Sequence, residues 1–479
     1  MSTPAHAISR SFAVLSLGRV VNSLLAFATI VHLTHVLPAD RFGVIVFATS
    51  VLAYAGLIVD CGFDSLGPLE AARGTLPLPV LARTVVSLRL LLTGFAFAVL
   101  ALMTWLAPVS GLTKSVILLY GVSLLTNAVD LTWVFLGVEL MHPVALAELL
   151  GQSLITLGAF VLVTDPSHVS RMPMIFLGGR LATVTVLTLL FLGHFGKFGL
   201  GINFPLVKKL LSAAISLSGT AMVAMISNNF DLILIGLWLG AEAAGLYGAA
   251  YRVVWMPALL AMAYSTALRP WLARASVQGF HTIETLLRHS IRITTAFGIG
   301  VAVGGALLAE PVITLLYGTA YQAAARPLQI LLVAFALLFV SRHYRVLLVA
   351  FHQQALDFRI MTAAAAMNIA LNVLLIPRLG LTGAALATLT SEGLLLVLGY
   401  TSTRRLIGQV PLAGSLVRSL LCAALMALVL SGTHALPLFA RIALGGGIYM
   451  VLLFALRVIV LEEVRVVFSA WLPVRPVAS

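Results

Sequence analysis

Charged residues are scarce in this 479-residue chain, and their scarcity narrows the class of protein. Asp, Glu, Lys and Arg together make up 9% of the residues, against about 25% in soluble domains. The length would allow several soluble domains, but no segment has the polar pattern of one. The composition therefore argues against a soluble enzyme and favours a protein that folds in a membrane.

Cysteine and lysine are also rare, and each rarity excludes a kind of site. Cys61 and Cys422 lie far apart in apolar stretches, which argues against a disulfide framework and predicts buried free thiols. Lys197 is one of only four lysines; it follows Gly196 but lacks the upstream glycine and the hydroxyl of a phosphate-binding loop. His32 and His35 have no Cys or carboxylate nearby to complete a metal site. We expect neither a cofactor nor an enzymatic activity.

Long apolar runs, by contrast, fill the chain almost from end to end. A helix needs ~20 apolar residues to cross ~30 Å of hydrocarbon, where only helices and closed barrels satisfy their backbone groups. The runs are continuous rather than alternating, which favours helices over barrel strands. We predict an all-α polytopic membrane protein with fourteen transmembrane helices, at residues 11–36, 42–66, 80–107, 113–137, 143–164, 173–193, 207–239, 243–268, 286–309, 325–350, 358–376, 382–401, 415–431 and 436–461.

The basic residues predict the orientation of these helices. When the connections are assigned alternately to the two sides, nineteen Lys and Arg fall on one side and six on the other. The positive-inside rule then places both termini in the cytoplasm, and we expect a bacterial inner membrane. The net charge of +13 is thus a topology signal with some attraction to anionic lipid, not a nucleic-acid footprint.

The order of segments suggests a doublet with an extension. We predict a six-helix N-terminal lobe at 1–196, a second six-helix lobe at 197–405, and helices 13 and 14 with a cytoplasmic tail at 406–479. A weak internal repeat supports this division. Residues 39–48 and 241–250 both read Ala, acidic residue, two residues, Gly, four residues, Ala, at equivalent places in the two blocks. Two such lobes would place a site between them near the membrane midplane.

Ionisable residues within the spans are candidates for function, because charge in the membrane is costly to bury. Depth counted at 1.5 Å per residue from each connecting turn suggests three acid–arginine pairs. They either neutralise buried charge structurally or serve transport. The pairs are Arg19 with Asp60, Arg89 with Asp130, and Asp231 with Arg252; the other ionisable residues in the spans are Glu148, Arg180 and Glu392.

Two of these residues have no depth-matched partner of opposite charge. Arg180 is expected to require water or an anion, and its planar fork suits phosphate. Glu392 has only Asn368 at comparable depth, so it either exchanges a proton or stays protonated as a hydrogen-bond donor. Pro257 follows Arg252 by five residues and interrupts the helix there, as gating segments often do.

Several short motifs, in order and suitably spaced between about residues 10 and 405, resemble the polysaccharide repeat-unit flippases (the Wzx-like family). Each motif carries little information, but together they are fairly specific. They are ADRFGVIVFA at 39–48, LIVDCGFD at 57–64, EAAR at 70–73, DLTWVFLGVE at 130–139, NFDLILIG at 229–236, GLYGAAYR at 245–252, LYGTAY at 316–321 and GLTGAA at 380–385.

This resemblance implies a fold and a cargo. The family belongs to the larger group of multidrug and toxin extruders and peptidoglycan-precursor flippases. It implies two six-helix lobes around an alternating-access cavity, a lipid-pyrophosphate-linked oligosaccharide as cargo, and a polysaccharide polymerase and chain-length proteins as partners. Family cavities tend to be cationic, whereas the arginines of this chain are offset by acids at matching depth.

We therefore predict translocation of undecaprenyl-pyrophosphate-linked repeat units from the cytoplasmic to the periplasmic leaflet. The alternatives are a cation- or proton-coupled multidrug exporter and a membrane scaffold that transports nothing. The predicted substrate-binding residues are Arg180 and Arg252 at the pyrophosphate, with Arg19 and Asn22 near the cytoplasmic entrance; Asp231 and Glu392 are predicted to serve in an ion pair or in coupling.

Overall fold

The protein is a helical membrane protein, as the apolar runs predict. The computed structural model describes residues 4–278, 280–408 and 413–459, and these ranges contain helices and no strands. Among the described residues, twelve helices are long and apolar enough to cross a membrane. They coincide with twelve of the fourteen predicted segments. The two others correspond to a continuous helix over Ala241–Gln278 and to a shorter apolar stretch, Leu416–Ser431.

The chain divides after Gly248 into two compact units. The predicted lobe boundaries at residues 196 and 405 stay predictions. The first unit contains α1 (Pro4–Val36), α2 (Ala39–Asp60), α3 (Phe63–Arg73), α4 (Leu78–Leu106), α5 (Gly111–Gly121), α6 (Leu124–Ala128), α7 (Thr132–Gly137), α8 (Met141–Leu162), α9 (Met172–Phe195), α10 (Phe204–Trp238) and the start of α11 (Ala241–Gln278).

The second unit contains the rest of α11 and the helices that follow it. Two six-residue 3-10 segments, Pro166–Arg171 in the first unit and Thr319–Ala324 in the second, precede α9 and α14. The remaining helices are α12 (Phe280–Leu307), α13 (Ala309–Tyr317), α14 (Ala325–Ala350), α15 (Gln354–Leu379), α16 (Leu381–Ile407), α17 (Ala413–Ser431) and α18 (Leu438–Ala455).

Polar residues at the helix starts fix several of these boundaries. The Ser110 side chain accepts a hydrogen bond from the backbone N–H of Thr113 and so caps α5. The Asn203 side chain does the same for the N–H of Leu206 at the start of α10. These caps satisfy backbone donors that the first turn of a helix leaves without a partner.

In the first unit, α1 packs along α8, α8 along α9, and α2 against α4, α5 and α10. The core centres on Phe63, Trp133, Phe135 and Phe191, all of them almost fully buried. In the second unit, α12 packs on α14 and α17, and α16 packs on α14 and α15. The hydroxyl of Tyr449 donates to the Ala296 carbonyl at 2.7 Å and ties α18 to α12.

Both cysteines are free thiols, as predicted; Cys422 is buried and Cys61 is half-buried. Cys61 also marks a feature that the apolar pattern hides. The predicted second span is broken there, because Cys61 (φ 46°) and Gly62 (φ 89°) adopt left-handed backbone conformations between α2 and α3. A Cβ atom on Gly62 would lie 2.7 Å from the Ala214 carbonyl oxygen of α10, so only glycine fits this position.

The side chain of Asp60 stabilises this break. Its Oδ2 accepts the Gly62 N–H at 3.1 Å and its Oδ1 accepts the Asp64 N–H at 2.8 Å. Arg89 of α4 donates through Nη2 to Asp60 Oδ1 and to Asp64 Oδ1. Arg89 also lies over the Phe63 ring, 5.9 Å from its centroid. The predicted partner of Arg89, Asp130, is therefore wrong, and so is the predicted pairing of Asp60 with Arg19.

The two acids that bind Arg89 differ in exposure, which gives a matched test. The side chain of Arg89 is 2% exposed, that of Asp60 25% and that of Asp64 76%. Asp60→Ala leaves the buried guanidinium with only the exposed carboxylate of Asp64 and uncaps α3, so we expect it to lower the free energy of unfolding by about 3–5 kcal/mol. Asp64→Ala removes an exposed partner and should cost about 0–1 kcal/mol. Thermal unfolding of the purified protein in detergent measures both; equal losses would contradict this account.

Candidate functional site

Arg180 of α9 lies in a charged cluster, although the sequence predicted no partner for it. Its Nη2 donates to Asn127 Oδ1 at 3.1 Å and to Asp130 Oδ2 at 3.2 Å. The depth count failed because it treats the fourth span as one straight helix. The span is instead divided into α5, α6 and α7, and the interruption brings Asn127 and Asp130 to α9.

Asp130 repeats the local arrangement of Asp60. Its Oδ1 accepts the Thr132 N–H at 2.8 Å at the start of α7, while Oδ2 faces Arg180. Each of these two acids therefore caps the helix that follows a break and binds an arginine from a neighbouring helix. The side chains of Arg180 and Asp130 are 30% and 18% exposed. The pair is thus partly accessible, unlike the deeply buried Arg89.

Two further charges extend the cluster. The charges of Arg19, Asp130 and Arg180 all act on the half-buried Glu148 of α8. We use "N-unit cluster" for Arg19, Asn127, Asp130, Glu148 and Arg180. It holds two arginines and two acids, so its formal charge is zero. The offset of arginine by acid that the sequence predicted is present, although with other partners.

Asn22, predicted near Arg19, is half-buried on α1. Its Oδ1 is buried and accepts no hydrogen bond from the described residues. Arg19 itself is exposed. Sequence reasoning missed Asn127 altogether; an amide three residues before an acid, inside an apolar span, is the signal that could have identified it.

The remaining predicted site residues lie outside the N-unit cluster. Asp231 of α10 is buried, where its Oδ2 accepts the Tyr247 hydroxyl at 2.8 Å. Arg252 of α11 has an exposed side chain, with Tyr317 and Tyr251 close enough to act on its charge. The pairing of Asp231 with Arg252 stays a prediction.

Glu392 of α16 lies in a second polar group. Its Oε2 is buried and has no hydrogen-bond partner among the described residues. The amide of Asn368 instead donates to Ser391 Oγ at 3.1 Å. The charges of Arg342 and Arg345 act on Glu392, so the expectation that it lacks a basic neighbour is wrong.

Arg345 is itself neutralised by another acid. Its Nε and Nη2 donate to the two carboxylate oxygens of Asp357 at 2.7 and 3.1 Å. This bidentate geometry is the strong form of an arginine–carboxylate pair. The side chain of Asp357 is only 6% exposed, so the pair is firmly held at the start of α15.

Family models match two overlapping parts of the chain. The model described as "Polysaccharide biosynthesis protein" matches residues 8–276. The chain belongs to this family. The model described as "Lipid II flippase MurJ" matches residues 154–448. The family resemblance drawn from the short motifs is thereby confirmed.

Individual proteins agree with the family models. The chain is 27% identical over 252 residues to the probable flippase AglR of Haloferax volcanii. This match covers 50% of the chain and 52% of AglR, so the chain spans about half the length of that relative.

Solved structures share the fold. The lipid II flippase MurJ in an inward closed conformation has a TM-score of 0.78 at 16% identity, covering 92% of this chain and 98% of MurJ. An inward-facing multidrug transporter of the MATE family has a TM-score of 0.64 at 14% identity, covering 83% of this chain and 98% of the transporter. At such identities the likeness concerns the fold.

A double-mutant cycle can test whether Asp130 and Arg180 are energetically coupled. Each single change to Ala leaves one charge in apolar surroundings, so the double variant should be more stable than the sum of the two losses implies. We expect a coupling of about 0.5–3 kcal/mol, measured by unfolding in detergent. Arg171, whose Nη1 donates to the Leu162 carbonyl, provides the control. Asp130→Ala combined with Arg171→Ala should be additive, and additivity for both pairs would contradict the bond.

Proposed function

We propose that this protein translocates undecaprenyl-pyrophosphate-linked oligosaccharide repeat units from the cytoplasmic to the periplasmic leaflet of a bacterial inner membrane, by alternating access. The family membership and the likeness to flippases support this class of cargo. One feature carries the proposal: Arg180, a partly accessible arginine within an apolar span, is held by a single acid and an amide. We keep the predicted orientation, with both termini in the cytoplasm.

The geometry of Arg180 suits a pyrophosphate. Both of its bonds in the N-unit cluster use Nη2, so Nε and Nη1 make no hydrogen bond to the described residues. A guanidinium presents five N–H donors in a rigid fork that matches phosphate oxygens. The free donors can therefore contact an incoming anion before Nη2 leaves Asp130.

Asp130 would then act as the anion that the cargo replaces. An unpaired arginine inside a membrane costs about 3 kcal/mol or more. Asp130 removes this cost in the empty protein, and the pyrophosphate removes it in the loaded one. Arg252, which is exposed, is proposed as a second ligand, and Arg19 with Asn22 as the entrance.

Substitution of Arg180 tests the proposed anion site. Arg180→Ala should abolish flipping, and Arg180→Lys should retain only part of it, because lysine keeps the charge but loses the fork. The assay is translocation of a labelled lipid-pyrophosphate oligosaccharide in reconstituted vesicles. Arg171→Ala, outside the N-unit cluster, is the matched control and should flip normally. Unimpaired flipping by folded Arg180→Ala would remove Arg180 from the site.

The source of energy follows from the charge of the cargo. The sequence contains no phosphate-binding loop, so a gradient is required. Outward movement of a pyrophosphate carries roughly two negative charges away from a negative interior. At ~2.3 kcal/mol per charge per 100 mV, the membrane potential favours export by ~5 kcal/mol. We propose that this potential drives net flipping and that no coupling ion is needed.

Proton-coupled exchange, as in a multidrug exporter, is the second candidate, and one observation favours it. Glu392 has a buried oxygen without a hydrogen-bond partner among the described residues. A carboxyl in that position can bind and release a proton. Under this alternative, cationic drugs instead of lipid-linked sugars would be the cargo, and drug efflux from the same vesicles would follow the pH gradient.

Vesicles with an imposed potassium-diffusion potential and no proton gradient separate the two energy sources. We expect flipping to increase with an inside-negative potential, and we expect Glu392→Gln to flip like the unmodified protein. Asp357→Asn, which weakens the neighbouring arginine pair without removing Glu392, controls for local damage. If flipping follows pH, ignores the potential and stops in Glu392→Gln, proton coupling replaces the potential as the driving force.

A further inference from the structure

A buried stripe on α18 packs this helix against α12 and α17 in the second unit. Four residues spaced four positions apart form the stripe: Arg441, Gly445, Tyr449 and Leu453. Tyr449 and Leu453 belong to an apolar core that α12 and α17 share. Leu430 of α17 lies against Gly445, where a Cβ atom would lie 3.0 Å from a methyl carbon of that leucine. Three of the four positions are therefore ordinary core positions, and the fourth holds a charge.

Arg441 has no acidic partner among the described residues. The residue is 9% exposed, and its Nε is buried without a hydrogen-bond partner there. Glu310, which lies near the start of the helix after α12, accepts the Gln322 amide instead. Arg89, the other buried arginine in the described part of the chain, binds two carboxylates. Burying a charge without a partner is costly, so Arg441 requires a polar ligand from outside the chain.

The first turn of α18 adds hydrogen-bond donors beside Arg441. The helix begins at Leu438 after Pro437, and no side chain caps its backbone N–H groups. The N–H of Arg441 donates to the Pro437 carbonyl at 3.0 Å, and the N–H groups of the three residues before it precede the helical ladder. Helical side chains lean towards the N-terminus, which brings the guanidinium towards this uncapped turn. A helix N-terminus and an arginine fork both suit phosphate oxygens.

The first turn of α18 also lies where lipid headgroups are found. Its 18 residues span about 27 Å at 1.5 Å per residue, so Arg441 lies close to one surface of a ~30 Å hydrocarbon layer. Phe439 and Ile442, on either side of Arg441, are 72% and 46% exposed. Apolar side chains on the helix surface therefore flank the arginine, and acyl chains can lie along them while a headgroup reaches the guanidinium.

We propose that Arg441 and the uncapped first turn of α18 bind the phosphate group of a lipid. The phosphate supplies the negative charge that Arg441 lacks, and its oxygens accept hydrogen bonds from the guanidinium and from the first-turn N–H groups. A phospholipid of the membrane and a lipid-linked pyrophosphate both carry this group. The site shares no residue with the N-unit cluster and does not depend on the proposed function. In the proposed orientation it lies at the periplasmic leaflet.

Lipid binding to Arg441→Met tests the site, because methionine keeps an unbranched apolar side chain but carries no charge. The probes are dioleoyl phosphatidylglycerol, undecaprenyl pyrophosphate and the phosphate-free dioleoylglycerol. Each is titrated into the full-length protein in detergent, and bound lipid is measured by native mass spectrometry. We expect affinity for phosphate-bearing lipid to fall at least ten-fold and dioleoylglycerol binding to stay unchanged. Arg378→Met, which removes an exposed arginine in the last turn of α15, is the matched control and should bind like the unmodified protein.

The two phosphate-bearing probes distinguish the source of the ligand. A loss of phosphatidylglycerol binding identifies the membrane's own phospholipid, and a loss confined to undecaprenyl pyrophosphate identifies a lipid-linked cargo. The titrations are repeated in Arg180→Ala protein, where binding that depends on Arg441 should persist even though the proposed cargo site is removed. Unchanged affinity of Arg441→Met for both phosphate lipids would overturn the proposal, and so would loss of the Arg441-dependent binding in Arg180→Ala.

Thermal unfolding in detergent gives a second test that does not rely on counting bound lipid. Without lipid, Arg441→Met should unfold at or above the Tm of the unmodified protein, because it removes an unpaired buried charge. Arg89→Met, which takes the arginine from Asp60, should lower the Tm. A lipid that binds only the folded state raises the Tm, so phosphatidylglycerol should stabilise the unmodified protein and not Arg441→Met. A lower Tm of lipid-free Arg441→Met, or an equal rise with lipid in both proteins, contradicts the proposed site.

Discussion

Inside an apolar membrane, every charge and every unpaired backbone group needs a partner, and this structure depends on that constraint. The carboxylate of Asp60 satisfies both at once, because it accepts two backbone N–H groups at the break between α2 and α3 and binds the buried Arg89. Asp130 repeats this arrangement with Thr132 and Arg180. Irregular backbone at membrane depth persists only where protein or cavity water satisfies it, so each acid makes a break in a spanning helix possible.

The same compensation bears on the anion site that we propose at Arg180. A site of unpaired arginines would hold pyrophosphate strongly but would be costly when empty. In the N-unit cluster, Arg180 keeps an acid and an amide as partners, so the empty state is tolerable. A carrier must release its cargo on the far side of the membrane. If the cargo anion replaces a carboxylate at the arginine, the loaded and empty states differ less in free energy than if it binds an unpaired arginine. A neutral cluster therefore suits a carrier better than a strongly cationic one.

The sequence predicted the helical fold because apolar length is a local property, and the fourteen segments fall on helical stretches of the described residues, with interruptions inside the second and fourth. It did not predict the ion pairs. Depth counting assumes straight helices, and the interruptions at Cys61–Gly62 and between α5 and α7 redirect the chain so that Asp60 meets Arg89 and Asp130 meets Arg180. The residues Asp-Cys-Gly at 60–62 are of types that suit a helix interruption, but a single sequence does not indicate which arginine will pair with Asp60. The repeat that begins at residues 39 and 241 can be read from the sequence, whereas the packing of its two copies against each other cannot.

The two ends of α2 are held by different kinds of contact. At its start, Gly43 packs directly against the backbone of α11. At its end, Asp60 is tied to Arg89 by a buried ion pair. The 22 residues of α2 span about 33 Å at 1.5 Å per residue, which is the thickness of the hydrocarbon core. Losing one partner of a buried pair costs several kcal/mol, whereas separating packed helices in lipid exposes apolar surface to apolar chains. The Asp60 end of α2 therefore depends on charge compensation, and the Gly43 end depends on close backbone packing.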